Sequence, residues 1–364
     1  MKTIVIGCGA VVENAHRGAL NLLERRGFLE VVGVVDPNAN RLAQAKGWFP
    51  RAQGFQSLAE CYANLKEVEL ALITSPPPLH REQAVMAFQN GSHVFCEKPV
   101  ASSLQGAKEM VATAQEHKKV LAVGMPRRFY PCLVEARRMI MAGDLGFSVR
   151  FTYREGGVYK WPITSAAPFR RDTSGGGVLL DKGVHAMDVL FFLFGGGAVV
   201  RAADDAVSPG VEANALVELV LERGRGTLQL SWDMDLNNGL LIEGEHGQLW
   251  IPIGYLAVLW FRPNSSVPWQ EVTPKADWPL DLQPNGGHRG APSVSLDCFV
   301  FQLVQMIRAI RLAERPAVTG EEALVPLGLI ELVYSMATPL FKPWLSPAEQ
   351  AAAEQRHWHH TASL

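Results

Sequence analysis

Several features that would assign this chain quickly are absent. It has no C-x-x-C pair: Cys8, Cys61, Cys96, Cys132 and Cys298 are scattered and odd in number. That pattern excludes a disulfide framework or a cysteine zinc site and leaves small buried hydrophobes in a reducing compartment. Charge of one sign is also lacking, with 34 Lys+Arg against 36 Asp+Glu and a formal net charge of -2. Nucleic-acid binders usually carry a strongly basic domain or stripe, so no nucleic-acid partner is expected. Charged residues reach only 19% while hydrophobic ones reach 48%, which excludes a disordered or acidic solvating chain. The longest apolar run, Val189–Val200, is 12 residues and is broken by Gly195-Gly196-Gly197. A spanning helix needs about 20, so no membrane segment is expected. Thr3–Ile6 run directly into glycines with no apolar leader region or cleavage site, and the expected location is the cytoplasm. Internal repeats and low-complexity tracts are missing too.

What is present is a change of grammar partway along 364 residues, a length that suggests two domains. Residues 1–124 alternate short apolar runs (Thr3–Ile6, Val31–Val35, Leu70–Ile73, His93–Cys96, Val120–Val123) with helical stretches such as Asn14–Arg26, Leu79–Asn90 and Ser103–His117. Continuous apolar strands between helices predict an α/β fold, a doubly wound Rossmann-like parallel sheet. Pro131–Ala142 reads as a connecting helix. Period-2 strands follow at Ser148–Arg154, Ala215–Leu221, Thr227–Trp232, Gly239–Glu245, Gln248–Ile253 and Leu256–Arg262, predicting a largely antiparallel sheet. Helices are expected near 181–194, 295–313 and 321–336. The division is therefore 1–124 for a dinucleotide-binding domain, 125–342 for a substrate-binding and oligomerisation domain, and 343–364 for a tail. Residues 263–294, with six prolines, Trp269, Trp278, Gly286-Gly287 and His288, form a functional lid or a mobile loop. In the tail, His357-Trp358-His359-His360 reads as a surface helix rather than a metal site.

The first strand runs into Gly7-Cys8-Gly9-Ala10-Val11-Val12. Gly7 and Gly9 sit where a dinucleotide fingerprint needs a tight turn and close approach of backbone to pyrophosphate. The helix after them offers unpaired N–H groups to phosphate. Val12 stands where the third small residue is usual. Asp36 closes the second strand, where a carboxylate can accept hydrogen bonds from ribose hydroxyls and would repel a 2′-phosphate. NAD is thus favoured over NADP; Arg41, one turn on, keeps some NADP tolerance. As a plain structural residue, Asp36 would be a turn residue or helix N-cap.

Two further elements carry chemistry. The fourth long run ends in Glu97-Lys98-Pro99, so Lys98 should project from the carboxyl end of a parallel strand, where it could stabilise an alkoxide. A solvated loop lysine paired with Glu97 is the bland alternative. In Gly175-Gly176-Gly177-x3-Asp181-Lys182-x2-His185-x2-Asp188, an α-helix from Asp181 would put Asp181, His185 and Asp188 on one face. A His among carboxylates suits a general base; a structural His with an Asp N-cap is the plainer reading.

Together, Gly7-Cys8-Gly9, Glu97-Lys98-Pro99 and Gly176-Gly177-x3-Asp181-x3-His185 resemble the glucose-fructose oxidoreductase / inositol dehydrogenase / rhizopine catabolism (Gfo/Idh/MocA) family. Thr74-Ser75-Pro76-Pro77-x2-His80 is similar to that family's segment beside the nicotinamide ribose, Arg127-Arg128-Phe129 to its interdomain segment, and Ile242–Gly247 to a turn of its large sheet. The resemblance implies a Rossmann domain followed by an α/β domain with a large, open, mainly antiparallel sheet that commonly builds dimers or higher homo-oligomers. It implies a cofactor site formed by Gly7, Gly9, Ala10, Val11, Val12, Asp36, Arg41, Ser75, Pro76, His80, Glu97, Lys98 and Arg127. It also implies reversible oxidation of a secondary alcohol on a sugar, cyclitol or glycoside: Lys98 polarises the oxygen, His185 exchanges the proton, Asp181 orients. A cis Lys98-Pro99 peptide is expected as well.

Lys182 departs from the family pattern, which has an apolar residue there. Facing the pocket it would favour an anionic or heavily hydroxylated substrate; paired with Asp181 it would be structural. Val158–Pro162 and Phe169-Arg170-Arg171 are candidate pocket walls, with Trp161 to stack on a ring and Arg170 as an anion clamp. His288 is a weaker candidate. No metal is expected. Two rival functions remain: an NAD-dependent glycoside hydrolase, in which the same residues begin a transient oxidation and elimination, and a dinucleotide-binding sensor without catalysis, which has no need for Lys98 and the Asp181/His185 pair together.

Overall fold

A computed structural model describes residues 1–160, 166–275, 295–340 and 345–362. The chain forms two compact units, Met1–Phe129 with Asp277–Leu324, and Tyr130–Ala276 with Val325–Leu364.

In the first unit six strands lie in one sheet: β1 (Lys2–Ile6), β2 (Glu30–Val35), β3 (Gln53–Phe55), β4 (Leu70–Ile73), β5 (His93–Glu97) and β6 (Leu121–Gly124). The order is β3-β2-β1-β4-β5-β6 and every pairing is parallel. This is the Rossmann order, with its switch point between β1 and β4, outside whose carboxyl ends ligands bind. The apolar runs are strands because both faces are covered. Ile4, Val5 and all of β4 are fully buried, each large side chain contributing roughly 1.5–3 kcal/mol. The helix Ser295–Leu312 also belongs here, where the sequence division had placed it in the second domain. It lies along the helix Arg17–Arg25, with Leu296 over Gly18, and its Phe301 stacks on Phe129 at 6.2 Å. Its apolar face is plain in the sequence, but periodicity does not say which unit covers that face.

The second unit is built on β7 (Val149–Glu155), β8 (Gly197–Asp204), β9 (Asn214–Leu221), β10 (Gly224–Ser231), β11 (Gly239–Gly244), β12 (Gly247–Pro252), β13 (Trp260–Arg262), β14 (Gln270–Glu271) and β15 (Thr338–Pro339). They form a sheet ordered β14-β13-β12-β11-β7-β10-β9-β8-β15. Only the β7/β10 and β8/β15 pairs are parallel, so the sheet is mixed and mostly antiparallel. One face is apolar and covered: Ala215, Val217, Leu219 and Leu221 of β9 are buried, and Phe151 stacks on Phe194 of the helix Val184–Phe194 at 5.0 Å. The connecting helix spans Pro131–Ala142 as expected. Leu216 and Val220 on the other face are exposed.

No helix among the described residues is long and apolar enough to cross a membrane. All five cysteines are free and buried; burial pushes Cys8, Cys61 and Cys132 up to about 12, so they are inert thiols. His357 is buried with its Nε2 2.8 Å from Asp204 Oδ1, and no three-ligand metal cluster occurs among the described residues.

Candidate functional site

The glycine loop follows β1 directly. Gly7 adopts φ +87°, and a β-carbon there would lie 2.6 Å from the Ser75 backbone, so only glycine lets the ends of β1 and β4 come this close. At Gly9 nothing lies within 4 Å of a β-carbon position, leaving the backbone open to a ligand. The helix begins with a wide turn over Val12–His16, and the Val12 side chain is fully buried beneath it. A valine in place of the third small residue thus fills the space between helix and sheet. Val12 and Glu13 N–H groups bond Gly9 O at 3.1 and 3.2 Å. Ahead of them the first N–H groups of the helix, at Ala10 and Val11, have no carbonyl within the helix to receive them.

Asp36 serves the loop itself. Its Oδ2 accepts from Cys8 N–H at 2.8 Å and its Oδ1 from Asn38 N–H at 2.8 Å. The carboxylate ties the glycine loop to the end of β2, and each oxygen keeps a lone pair for a ribose hydroxyl. Asn38, not Asp36, caps the next helix by accepting from Asn40 and Arg41 N–H. Arg41 reaches Glu13 at 3.7 Å. Loop, open backbone and carboxylate fit a dinucleotide.

The β4 and β5 ends are knitted together. Thr74 Oγ1 donates to Gly7 O at 2.6 Å, and Ser75 Oγ to Gln83 Oε1 at 2.5 Å, with Pro76 exposed beside it. His80 departs from expectation. It is wholly buried, with Nε2 2.7 Å from Ser75 O and Nδ1 2.9 Å from Pro99 O. Its ring lies between the Ser75 loop and the Lys98-Pro99 loop with each nitrogen facing a carbonyl oxygen; burial lowers its pKa against the opposing pull of those two acceptors. Glu97 is likewise buried and structural. Its Oε1 lies 2.6 Å from His16 Nε2, and its Oε2 accepts Lys98 N–H at 3.1 Å. Lys98 is half-buried at the carboxyl end of β5, and its peptide to Pro99 is cis as expected.

In the second unit the predicted single helix is two segments, a wide turn over Leu179–Gly183 and the α-helix Val184–Phe194. The i, i+4, i+7 face expected for a uniform α-helix does not carry through that turn. Asp188 is buried within the apolar helix, while Asp181 and His185 are half-buried. The N-terminal end of this segment sits on Glu212. That buried carboxylate accepts from Gly177 N–H (2.9 Å), Leu179 N–H (3.0 Å) and Tyr334 OH (2.8 Å) through Oε1. A β-carbon at Gly177 would collide with the Glu212 carbonyl, which accounts for a glycine there. Burial, then the Asp204 charge, pushes the Glu212 carboxyl up to about 7.

Asp181 Oδ2 accepts from Trp232 Nε1–H at 3.2 Å, and Lys182 Nζ donates to Ser231 O at 3.1 Å. Asp181, Lys182 and Trp232 line a pocket of about 250 Å³ with Val158, Tyr159 and Lys160. The structure thus brings Asp181 together with Tyr159 and Lys160 of the expected wall. Arg170 is not part of that lining: it is exposed and pairs with Asp172 at 3.6 Å. Arg127 is half-buried, whereas its neighbour Arg128 is buried against Glu322 at 2.8 Å. Trp161 and His288 lie outside the described residues. Sequence reasoning missed His16, Glu212 and Trp232; Trp232 alternates with Leu228 and Leu230 and reads as core.

A Rossmann sheet with an open glycine loop, a carboxylate after β2 and a lysine after β5 defines a dinucleotide-dependent oxidoreductase. Family models match residues 1–125 as the GFO_IDH_MocA oxidoreductase family, NAD-binding Rossmann fold, and residues 133–250 as the GFO/IDH/MocA C-terminal domain. The chain belongs to this oxidoreductase family, and its first unit holds the family's NAD-binding Rossmann domain. It is 30% identical over 214 residues to D-glucoside 3-dehydrogenase of Escherichia coli, covering 55% of this chain and 55% of that protein. It is 30% identical over 243 residues to the NADP-dependent scyllo-inositol 2-dehydrogenase IolU of Bacillus subtilis, covering 64% and 67%. The matched stretch is therefore little more than half of the first of these relatives. Among solved structures, the 3-ketoreductase KijD10 of Actinomadura kijaniata, in complex with NADP and TDP-benzene, superposes with a TM-score of 0.76 at 18% identity, over 94% of this chain and 99% of that one.

Proposed function

We propose that the protein reversibly oxidises a secondary hydroxyl of a sugar, cyclitol or glycoside, with NAD as the hydride acceptor. The observation that carries this reading is the placement of Lys98, a half-buried lysine at the carboxyl end of an inner strand of an NAD-binding sheet. Bound nicotinamide supplies the hydride-accepting carbon. Lys98 donates to the reacting oxygen and stabilises its developing negative charge. The His185 imidazole takes the hydroxyl proton. Asp181 orients the substrate by accepting from a neighbouring hydroxyl. Trp161 remains assigned to stacking on the substrate ring, whereas Arg170, outside the pocket lining and paired with Asp172, is not kept as an anion clamp.

On the cofactor side, the turn at Gly7 and Gly9 lets the backbone approach the pyrophosphate, Ala10 and Val11 offer it their N–H groups, and Val12 packs beneath them. Asp36 takes the ribose hydroxyls, Ser75 and Pro76 flank the nicotinamide ribose, and Arg127 completes the site. NAD is preferred over NADP because Asp36 repels a 2′-phosphate and Arg41 is engaged by Glu13. We also assign the exposed apolar side chains of the sheet, Val200, Leu216 and Val220, to a homodimer or larger homo-oligomer; light scattering measures its mass.

The test is NADH production from NAD across a panel of sugars, cyclitols and glycosides. Lys98→Ala and His185→Ala should each lower kcat by about 100- to 10,000-fold with little change in NAD affinity. Full turnover by either variant overturns the assignment. Release of nitrophenol from a nitrophenyl glycoside with no NADH accumulation would establish a hydrolase that recycles its cofactor instead.

A further inference from the structure

The pocket of the second unit carries more charge than oxidation of a neutral polyol requires. Its lining holds two ammonium groups, Lys160 and Lys182, and one carboxylate, Asp181. Lys182 is half-buried, and its bond to Ser231 O uses one of three N–H donors while fixing the ammonium at the pocket wall. Removing a strongly hydrated ammonium from water is costly unless a partner of opposite charge or a set of acceptors meets it. Neutral hydroxyls need no such group, since backbone and amide donors recognise them equally well.

The rest of the wall is aromatic. Tyr159 and Trp232 meet edge-to-face at 5.0 Å, and Phe169 braces both, at 5.1 Å from Tyr159 and 6.0 Å from Trp232. Such a wall offers an apolar surface to the C–H face of a sugar ring. The cavity of about 250 Å³ has room for one ring.

We infer that this pocket binds a sugar ring bearing a carboxylate, with Lys182 and Lys160 on the carboxylate, Trp232 and Tyr159 against the ring, and Asp181 accepting from a hydroxyl. The single excess positive charge of the lining balances a monoanion. A phosphate ester, at about −1.5 to −2, would be left partly uncompensated beside Asp181. The inference rests on the proposed oxidation of a sugar hydroxyl and names the substrate class.

Calorimetric titration of the NAD-saturated protein tests it, using methyl β-D-glucuronide, methyl β-D-glucoside and inorganic phosphate. The glucuronide should bind at least about tenfold tighter than the glucoside, a difference of 1.4 kcal/mol. That ratio should fall as salt is raised, because part of the discrimination is electrostatic. Lys182→Met should reduce the ratio at least fivefold. Lys160→Met, at an exposed position where folding is not at stake, should reduce it by a smaller factor. Equal affinity for the two glycosides, a ratio unmoved by both substitutions, or phosphate binding as tight as the glucuronide would each overturn the inference. Turnover is measured in parallel: an absence of NADH from sugars of either charge refutes the oxidation reading, while the titration still decides what the pocket binds.

Discussion

His16 Nε2 lies 2.6 Å from Glu97 Oε1, and both side chains are buried. Burial alone would raise the Glu97 carboxyl. The hydrogen bond and charge of His16, with the charge and N–H of Lys98, outweigh it and hold the pKa below the ordinary value. The pair joins the helix after the glycine loop to the strand that presents Lys98, and Phe95 and Phe299 enclose the imidazole edge-to-face at 6.0 and 5.1 Å.

Breaking that pair should therefore cost stability and catalysis together. His16→Leu leaves a buried carboxylate without its partner and should destabilise by about 3–5 kcal/mol, read by urea denaturation. Glu97→Gln added to His16→Leu should recover part of the loss, since the stranded charge is then gone. A double variant as unstable as His16→Leu alone would contradict this account. With a depressed folded pKa, the stability owed to Glu97 is present above the ordinary value of 4.5 and is lost as pH falls through the folded value.

Glu212 should behave in the opposite sense. Its folded pKa is raised from 4.5 to about 7 by burial and by the Asp204 charge. The unfolded chain therefore ionises before the native one, and the stability it contributes is full below about pH 4.5 and is lost as pH rises to about 7. Over that interval the loss should be about 3 kcal/mol at 1.36 kcal/mol per pKa unit. The groups facing it are Asp204, Tyr334 and, over the Tyr334 ring, Arg171. Glu212→Gln should flatten the pH dependence of the urea midpoint across this window, and a slope unchanged by the substitution would show that the carboxyl does not titrate there. Because Glu212 holds the start of the segment carrying Asp181, the variant should also lower kcat.

Cofactor choice gives a third expectation. Arg41 is held by Glu13 at 3.7 Å, and Asp36 places a negative charge at the end of β2. Replacing Asp36 by Ser and Glu13 by Gln removes the repulsion and frees the guanidinium, which can then pair bidentately with a 2′-phosphate. The ratio of kcat/KM for NADP to that for NAD should rise about tenfold or more, equivalent to 1.4 kcal/mol. Asp36→Ser alone should also weaken the loop, because Cys8 N–H loses its acceptor; thermal denaturation without cofactor measures that share separately.

What the sequence discloses and what it hides divide along chain separation. The glycine loop, the strand ends and Asp36 are legible because each is a local pattern in which an apolar run meets its turn. Strand β3 escaped because Gln53-Gly54-Phe55 is too short to show periodicity. Strand β8 escaped because it starts inside Gly195-Gly196-Gly197, where a loop is the natural reading. The wide turn at Leu179–Gly183 is a hydrogen-bond register, and hydrophobic spacing does not encode it. His16 and Glu97 stand 81 residues apart, and Glu212 stands 35 from Gly177. Such pairs exist only once the fold has formed, so the buried partners behind the glycine loop and behind the Asp181 segment are not legible from spacing along the chain.

The assignment of Lys98 and His185 to one reacting oxygen yields the most demanding expectation. If the amine stabilises the alkoxide while the imidazole removes its proton, each group is effective only while the other acts, and their losses should not add. Suppose Lys98→Ala and His185→Ala each cost about 1,000-fold in kcat, within the range for general acid–base groups. Independent action would then make the double variant about a million-fold slower, whereas joint action predicts a double variant only slightly worse than either single one. Pre-steady-state NADH formation with a deuterated carbinol carbon confirms that the chemical step is being measured. A double variant whose losses multiply in full would separate the two residues into different steps and leave Lys98 alone on the oxygen.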